Sequence, residues 1–195
     1  MLATHRFARC AFAALLACCL WGCDSGPDEL EDDVPNVVNG TLSDGSGLTV
    51  GSASHFLIES DDPGYAGSVT MALSDLAQLC DLINANTISS ESRWLSLQLF
   101  NSDGTKNLAL VPGEYTVGGE GSGAGRFANV SFGKREACDS VFDEATGGTV
   151  TVTAWSANGT LEGSFAVSFG ERSVSGRFLA DYCTLPETED PPVCK

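Results

Sequence analysis

The stretch TVTVTAWSANGTLEGSFAVSFGERSVSGRFLADY, residues 149–182, predicts three consecutive β-strands. Polar and apolar side chains alternate along it, as expected for strands that bury one face and expose the other. Asn158-Gly159 separates the first strand from the second, and Asn-Gly between alternating segments is a strong signal for a tight hairpin. Residues 170–172 turn the chain again. We therefore expect an antiparallel meander in this part of the chain.

The same alternation assigns the meander side chains to faces. The row expected to face the core is Val150, Val152 and Ala154, then Leu161, Phe165, Val167 and Phe169, then Val174, Gly176, Phe178, Ala180 and Tyr182. In this register Trp155 falls on the opposite face, just before the hairpin, where solvent or a ligand would meet it.

Weaker signals upstream extend the β prediction. Short apolar segments occur at 56–58, 69–73, 94–99, 108–111, 115–117 and 127–132. The exception is Ser74 to Asn84, where Leu76, Leu79, Cys80 and Ile83 recur at helical spacing after a Ser-Asp start. We predict an all-β domain, an antiparallel β-sandwich or barrel-like fold with one short helix and roughly eight to ten strands.

The N-terminal segment, residues 1–22, predicts an export signal. Three basic side chains, His5, Arg6 and Arg9, precede an uncharged apolar run at 10–21, which is shorter than the roughly 20 residues that a membrane-spanning helix needs. The run ends at Leu20-Trp21-Gly22-Cys23, which resembles a bacterial lipobox and implies lipidation of Cys23 after cleavage. A plain cleaved signal is the alternative, and Leu15-Leu16-Ala17-Cys18 is a rival box.

Acidic residues dominate the chain beyond the signal. All 26 Asp and Glu side chains follow residue 22, so loss of Arg6 and Arg9 moves the formal charge from −16 to −18. This balance disfavours a nucleic-acid partner, because phosphate binding needs clustered Lys and Arg. Residues 23–40 predict a flexible acidic tether, 41–183 the β domain, and 184–195 a Pro-rich acidic tail.

The lipobox, the acidic linker and the three C-terminal motifs GTVTVT, GSFAVSFG and VSGRFLADYC together resemble myxobacterial-type bacterial lipoproteins. The resemblance covers the signal and about the last third of the domain. It implies a lipid-anchored protein of the bacterial cell envelope with a C-terminal β domain, in the inner or the outer membrane. It implies no particular activity.

Four cysteines remain beyond Cys23, and an even number in an exported chain predicts disulfides. They are Cys80, Cys138, Cys183 and Cys194. Of the three possible connectivities, the sequence favours Cys80–Cys138 with Cys183–Cys194, because the second bond would fasten the Pro-rich tail. None of the four has the CxxC spacing of a zinc or redox site, and no metal site or cofactor is predicted.

Catalytic motifs are sparse in this chain. His55 is the one histidine beyond the signal, and we expect it on a strand edge or in a loop. Glu59, Asp61 and Asp62 in ESDDPG lack the EF-hand spacing and are typical of an acidic turn. The glycine-rich stretch 118–125 lacks the strand-turn-helix context of a nucleotide site.

Trp94 and Trp155 are the candidate ligand-binding residues, because an indole ring can stack on a sugar or contact another protein. Packing at a sheet edge is the alternative for both. We expect a lipid-anchored extracytoplasmic domain of binding or structural type, without enzymatic activity. An envelope hydrolase and a glycan-binding module using the tryptophans are the alternatives. The membrane, through the lipid, and a glycan or protein are the expected partners, and the sequence does not define an oligomeric state.

Overall fold

The computed structural model describes residues 36–42, 44–58, 67–118, 123–186 and 193–195. These ranges contain thirteen strands and one helix. In chain order they are β1 (Val37–Gly40), β2 (Ser52–Ile58), β3 (Ser68–Ser74), α1 (Leu79–Asn84), β4 (Thr87–Ile88), β5 (Ser92–Asp103), β6 (Asn107–Leu108), β7 (Gly113–Val117), β8 (Ala124–Glu136), β9 (Asp139–Glu144), β10 (Gly147–Trp155), β11 (Thr160–Phe169), β12 (Arg172–Tyr182) and β13 (Val193–Cys194).

Eight of the strands close into a barrel. Their order is β5-β3-β2-β12-β11-β10-β7-β8, and β8 pairs back onto β5 along its length. The pairs β12–β2 and β7–β8 are parallel, and the other pairs around the barrel are antiparallel. The all-β prediction is confirmed, and the fold is a closed barrel with one short helix.

The predicted meander is confirmed as β10, β11 and β12, paired antiparallel in sequence order. Two phenylalanines lie opposite glycines across the last pair of strands: Phe165 pairs with Gly176, and Phe178 with Gly163. A Cβ at either glycine would collide with the facing ring, so each aromatic ring covers a bare stretch of backbone. Both phenylalanines are buried, as the alternation predicts.

The predicted face of Trp155 is wrong. The β10–β11 register shifts between Val152 and Ala154, so Thr153 is an extra residue that has no partner on β11. Such a bulge reverses the alternation beyond it. Ala154 is therefore exposed, whereas Trp155 is partly buried and packs against the core.

Side chains fill the barrel interior. The largest fully buried ones are Tyr115, Phe178, Leu42, Met71, Leu73, Leu95, Leu97, Leu99, Leu161, His55, Val150 and Val152. An eight-stranded barrel is just wide enough for its side chains to fill it or to hold one small ligand, and here the side chains occupy the interior. Any binding surface of this domain is therefore sought outside the barrel.

The folded domain extends beyond the predicted limits of 41 and 183 at both ends. β1 lies in the stretch predicted as tether, and it pairs with β12 from Val37 to Gly40. In the predicted tail, β13 pairs in parallel with β4. Signal residues 1–22, tether residues 23–35 and tail residues 187–192 lie outside the described residues.

The predicted helix is shorter than its sequence pattern suggests. α1 begins at Leu79 rather than at Ser74, because Ser74 is the last residue of β3 and its side chain accepts a hydrogen bond from the Leu76 amide. Gln78 precedes the helix without a capping hydrogen bond from its side chain. Residues 75–78 therefore form a turn between β3 and α1.

Two disulfides are present, but the favoured connectivity is wrong. Cys80 pairs with Cys183, and Cys138 pairs with Cys194. Cys183 arrives beside α1 because its amide donates to the His55 carbonyl on β2 and so continues the β12–β2 seam. Cys194 arrives beside Cys138 because β13 pairs with β4, next to Ser90, whose carbonyl accepts from the Cys138 amide. The favoured pairing relied on the short sequence distance between Cys183 and Cys194. In the fold, Cys183 lies beside α1, whereas Cys194 lies beside Cys138.

Candidate ligand-binding groove

Trp94 lies on the outer face of the barrel, where β5 pairs with β3 on one side and β8 on the other. The residue opposite it on β8 is Gly133, and the residue opposite Gly133 on β9 is Phe142. A Cβ at Gly133 would collide with the indole, so the ring rests directly on the β8 backbone. Trp94 is consequently half-buried despite pointing away from the barrel interior.

Two further side chains contact the indole of Trp94. The Phe142 ring meets it edge to face, with 5.7 Å between ring centroids and 76° between planes. The Arg135 guanidinium carbon lies 5.1 Å from the centroid, which is a cation–π distance. Phe142 itself is 60% exposed, so the aromatic pair continues to the surface.

An apolar groove of about 170 Å³ adjoins Trp94, between α1 and the outer face of β2, β3 and β5. Its barrel side is formed by Phe56, Ala72 and Trp94, and its helix side by Leu79, Leu82 and Ile83. Although three of the six residues of α1 are large and apolar, the helix has no fully buried residue. The helix is therefore held over the sheet without closing the gap beneath it.

Covalent and polar contacts fix α1 in this position. The Cys80–Cys183 bond joins the helix to the chain that follows β12. The Ser52 hydroxyl on β2 donates to the Leu76 carbonyl and accepts from the Leu79 amide, at 2.5 and 3.3 Å. The helix over the groove is thus tied to the barrel by one disulfide and two hydrogen bonds.

Polar groups lie at one end of the groove. A second hollow of about 450 Å³ shares Ser92 and Arg135 with the groove, and its other lining residues are Asp75, Glu91, Arg93, Lys134, Glu136 and Ala137. Arg135 donates from Nε to the Ser140 hydroxyl at 3.1 Å and from Nη1 to the Ser89 carbonyl at 3.5 Å. Its guanidinium is therefore held at the boundary between an apolar and a charged surface.

Trp155 occupies a different place, at one mouth of the barrel. It lines a groove of about 270 Å³ together with Ile58, Leu108 and Ala157. Residues 59–66, which connect β2 to β3, lie outside the described residues. Trp94 and Trp155 each line a groove, but the two grooves have no residue in common.

His55 is buried, contrary to the expectation of a strand edge or loop. It lies within β2 at 0% exposure, between the rings of Trp155 and Tyr182 at centroid distances of 5.3 and 5.6 Å. Its Nδ1 is 3.0 Å from the Ala180 carbonyl. The position is internal because β2 is a central barrel strand, paired with both β3 and β12.

Burial lowers the pKa of His55 below its usual value of 6.5, since desolvation penalises the imidazolium. The Ala180 carbonyl, the charge of Asp181 and the Ala157 backbone oppose this effect but do not overcome it. Burial in this aromatic cluster thus favours the neutral form of the ring, which has no exposed surface.

Several of the remaining predicted residues lie in segments that the structure does not describe. Cys23, Glu59, Asp61 and Asp62 lie outside the described residues, as do positions 119–122 of the glycine-rich stretch. Within the described ranges, no group of three or more His, Cys, Asp or Glu side chains is arranged to hold a metal ion. No helix of the described part is long and apolar enough to span a membrane.

Sequence reasoning missed Arg135, Phe142 and Phe56 as neighbours of Trp94. One signal for Arg135 was present, because Lys134-Arg135 is the one pair of adjacent basic residues beyond the signal segment of this acidic chain. Phe142 gave no usable signal, since its position opposite Gly133 depends on the β8–β9 register.

Comparisons with protein-family models, with curated proteins and with solved structures found no match to this chain. The site is therefore interpreted from its own geometry and chemistry.

Proposed function

We propose that this chain is a lipid-anchored binding protein of a bacterial cell envelope, without enzymatic activity, and that it binds its ligand in the groove between α1 and the barrel. The observation that carries the proposal is an apolar groove between a disulfide-tethered helix and the outer face of the barrel, on a domain whose interior is lined by large buried side chains. A concave apolar surface with a few convergent polar groups is the usual form of a ligand site.

The anchor rests on the N-terminal sequence. An apolar run that ends at Leu20-Trp21-Gly22-Cys23 and continues into six acids between residues 24 and 36 is typical of a lipidated cysteine followed by a tether. The two disulfides support an oxidising compartment outside the cytoplasm. Two or more acyl chains on Cys23 would hold the protein firmly without a membrane-spanning helix.

The geometry favours a binding role over the two alternatives. A hydrolase based on His55 would need a ring that substrate can reach, and this ring has no exposed surface. A glycan platform on Trp94 would need an open indole face, whereas Gly133 and Arg135 both cover parts of that ring. Binding of an apolar ligand in the groove requires neither an accessible His55 ring nor an open Trp94 face.

The anchor is tested by two matched cysteine variants. In membrane fractionation with a labelled fatty-acid precursor, the unchanged chain and Cys18→Ser should be labelled and membrane-bound, whereas Cys23→Ser should be unlabelled and released. Cys18 is the matched control because it ends the rival lipobox. Retention of label in Cys23→Ser would assign the lipid to another residue.

The groove is tested with a neutral apolar reporter, N-phenyl-1-naphthylamine, whose fluorescence rises in apolar surroundings. The full chain carrying Cys23→Ser should bind it, and Ala72→Leu should abolish binding by filling the groove floor. Ala109→Leu, in the separate groove of Trp155, should leave binding unchanged. The opposite pattern would move the site to the barrel mouth.

A further inference from the structure

Arg135 gives the groove a charge preference that its apolar lining alone does not supply. Three of the groove hydroxyls are engaged within the protein: Ser74 donates to the Arg93 carbonyl at 3.3 Å, Thr87 to the Ala85 carbonyl at 3.1 Å, and Ser89 to the Glu91 carbonyl at 2.7 Å. Arg135, by contrast, uses two of the five N–H groups of a guanidinium in its contacts with Ser140 and Ser89. Among the described residues, the other three N–H groups of Arg135 have no hydrogen-bond partner.

No acidic side chain in the described part of the chain forms an ion pair with Arg135. Across the described ranges the ion pairs of this region are Arg93–Asp44, Lys134–Asp44 and Lys134–Glu136, and none of them involves Arg135. This is notable in a chain with 26 acidic and 10 basic residues. The stacking on Trp94 fixes the guanidinium in place, so an anion would meet a donor that is already oriented.

The apolar surface continues away from Arg135. A hollow of about 390 Å³ shares Leu76, Leu82, Thr87, Ile88 and Ser89 with the groove and reaches Lys195 at its far side. The two hollows therefore adjoin each other beside α1, so an apolar chain in the groove would lie next to further apolar surface. At the other end, the hollow shared through Ser92 and Arg135 has room for a hydrated head group.

We propose that the groove binds a free amphiphile with a linear alkyl chain and an anionic carboxylate head, with the chain under α1 and the carboxylate on Arg135. The site matches this chemistry because apolar walls adjoin a guanidinium that forms no ion pair with any described residue. The inference rests on the proposed function and names the ligand class for the same groove.

The test uses the full chain carrying Cys23→Ser and four probes: octanoate, octanol, octyltrimethylammonium and acetate. In calorimetric titration octanoate should bind at least tenfold more tightly than octanol, and the cation and acetate should not bind measurably. Arg135→Gln should weaken octanoate binding by about tenfold or more, the usual effect of losing a charge-assisted hydrogen bond, and should leave octanol unchanged.

Arg126→Gln is the matched control. Its guanidinium carbon also lies over an aromatic ring, that of Tyr115 at 5.8 Å, but far from the groove in the β7–β8 region. This variant should bind octanoate as tightly as the chain that retains Arg126. Thermal unfolding of both variants checks that they remain folded.

Three outcomes would overturn the inference, and they differ in whether the proposed binding groove is retained. If octanol and octanoate bind equally and Ala72→Leu abolishes both, the proposed preference for a carboxylate is wrong, but the apolar groove remains the binding site. If neither octanol nor octanoate binds while the fluorescent reporter still does, linear amphiphiles are not the ligand class, but the groove remains a binding site. Arg135-dependent sedimentation with anionic phospholipid vesicles, without octanoate binding, would assign the guanidinium to a lipid head group instead.

Discussion

Trp94 and Phe142 lie on strands that do not pair with each other, yet their rings meet edge to face at 5.7 Å across Gly133. The register brings them together, because Gly133 is the residue opposite both of them. A side chain at position 133 would occupy the space that the indole now fills. The glycine is thus what allows the outer aromatic pair to form.

Gly133→Ala should therefore destabilise the domain. The added methyl would force the Trp94 ring off the β8 backbone, and overpacking of this kind costs about 1–3 kcal/mol. The Trp94 contact with Arg135 should be lost as well, so groove binding should weaken. Urea unfolding and reporter titration measure the two effects.

Gly147→Ala is the control for that variant. Gly147 is also a strand residue, but nothing lies within 4 Å of the place where its Cβ would be. Its stability should stay the same or rise by up to about 1 kcal/mol through the unfolded state. If Gly133→Ala proved as harmless as this control, the position of the indole on β8 would be wrong.

The disulfide connectivity gives a second prediction. Digestion of the unreduced chain with trypsin and a glutamate-specific protease should yield one linked peptide pair containing Cys80 and Cys183 and another containing Cys138 and Cys194. Cleavage within 184–192 is essential, because trypsin alone leaves Cys183 and Cys194 on one peptide. A peptide pair joining Cys80 to Cys138 would contradict the structure.

Removal of the first bond should have the larger effect on the groove. Cys80→Ala with Cys183→Ala removes the covalent tether of α1, whereas Cys138→Ala with Cys194→Ala removes the tether between β13 and the β8–β9 turn. Each bond closes a long loop, of sequence separation 103 and 56, so each double variant should lose about 2–5 kcal/mol. Reporter binding should fall in the first variant and persist in the second.

The sequence predicted those parts of the fold that local contacts determine. The β10–β12 meander depends on two tight turns and on alternation, and both can be read from residues 149–182. Closure of the barrel depends on β5–β8 and β12–β2, whose partners are distant in the chain and have no turn signal between them. The disulfide pairing could not be predicted for the same reason, because the bonded cysteines are 103 and 56 residues apart in the sequence.

The candidate site was predicted only in part, for a similar reason. Trp94 lies on the face opposite Leu95 and Leu97, as simple alternation along the strand requires, because β5 has no bulge. Trp155 was placed on the wrong face, because one extra residue at Thr153 is not visible in an alternating TVTVTAW segment. Arg135 and Phe142 became neighbours of Trp94 only through long-range pairing.

A third prediction concerns pH. Because burial lowers the pKa of His55 in the folded state, the unfolded state binds a proton more readily as the pH falls below 6.5. The free energy of unfolding should therefore decrease between pH 7 and pH 5. The pKa of Asp103, lowered to about 2 by hydrogen bonds from Thr105 and Lys106, affects stability only at more acidic pH.

Urea unfolding at both pH values measures this decrease. His55→Asn, which keeps a donor group near the Ala180 carbonyl, should make the stability nearly constant over the same interval. An NMR titration gives an independent check on the folded protein, in which the His55 ring should remain neutral at pH 6.5. A ring that titrates above 6.5 would show that the cluster with Trp155 and Tyr182 is open to water.

The final prediction concerns the meander register, which connects the sequence pattern to the core. Phe178 is 1% exposed and covers the backbone at Gly163, whereas its neighbour Leu179 is 38% exposed on the outer face. Phe178→Ala should cost about 3–5 kcal/mol, the range for truncating a buried Phe, and Leu179→Ala about 0.5 kcal/mol or less. Both are measured by urea unfolding of the chain carrying Cys23→Ser with its disulfides intact. A shift of one residue along β12 would exchange the two faces, so a larger loss in Leu179→Ala would show that the β11–β12 register is wrong.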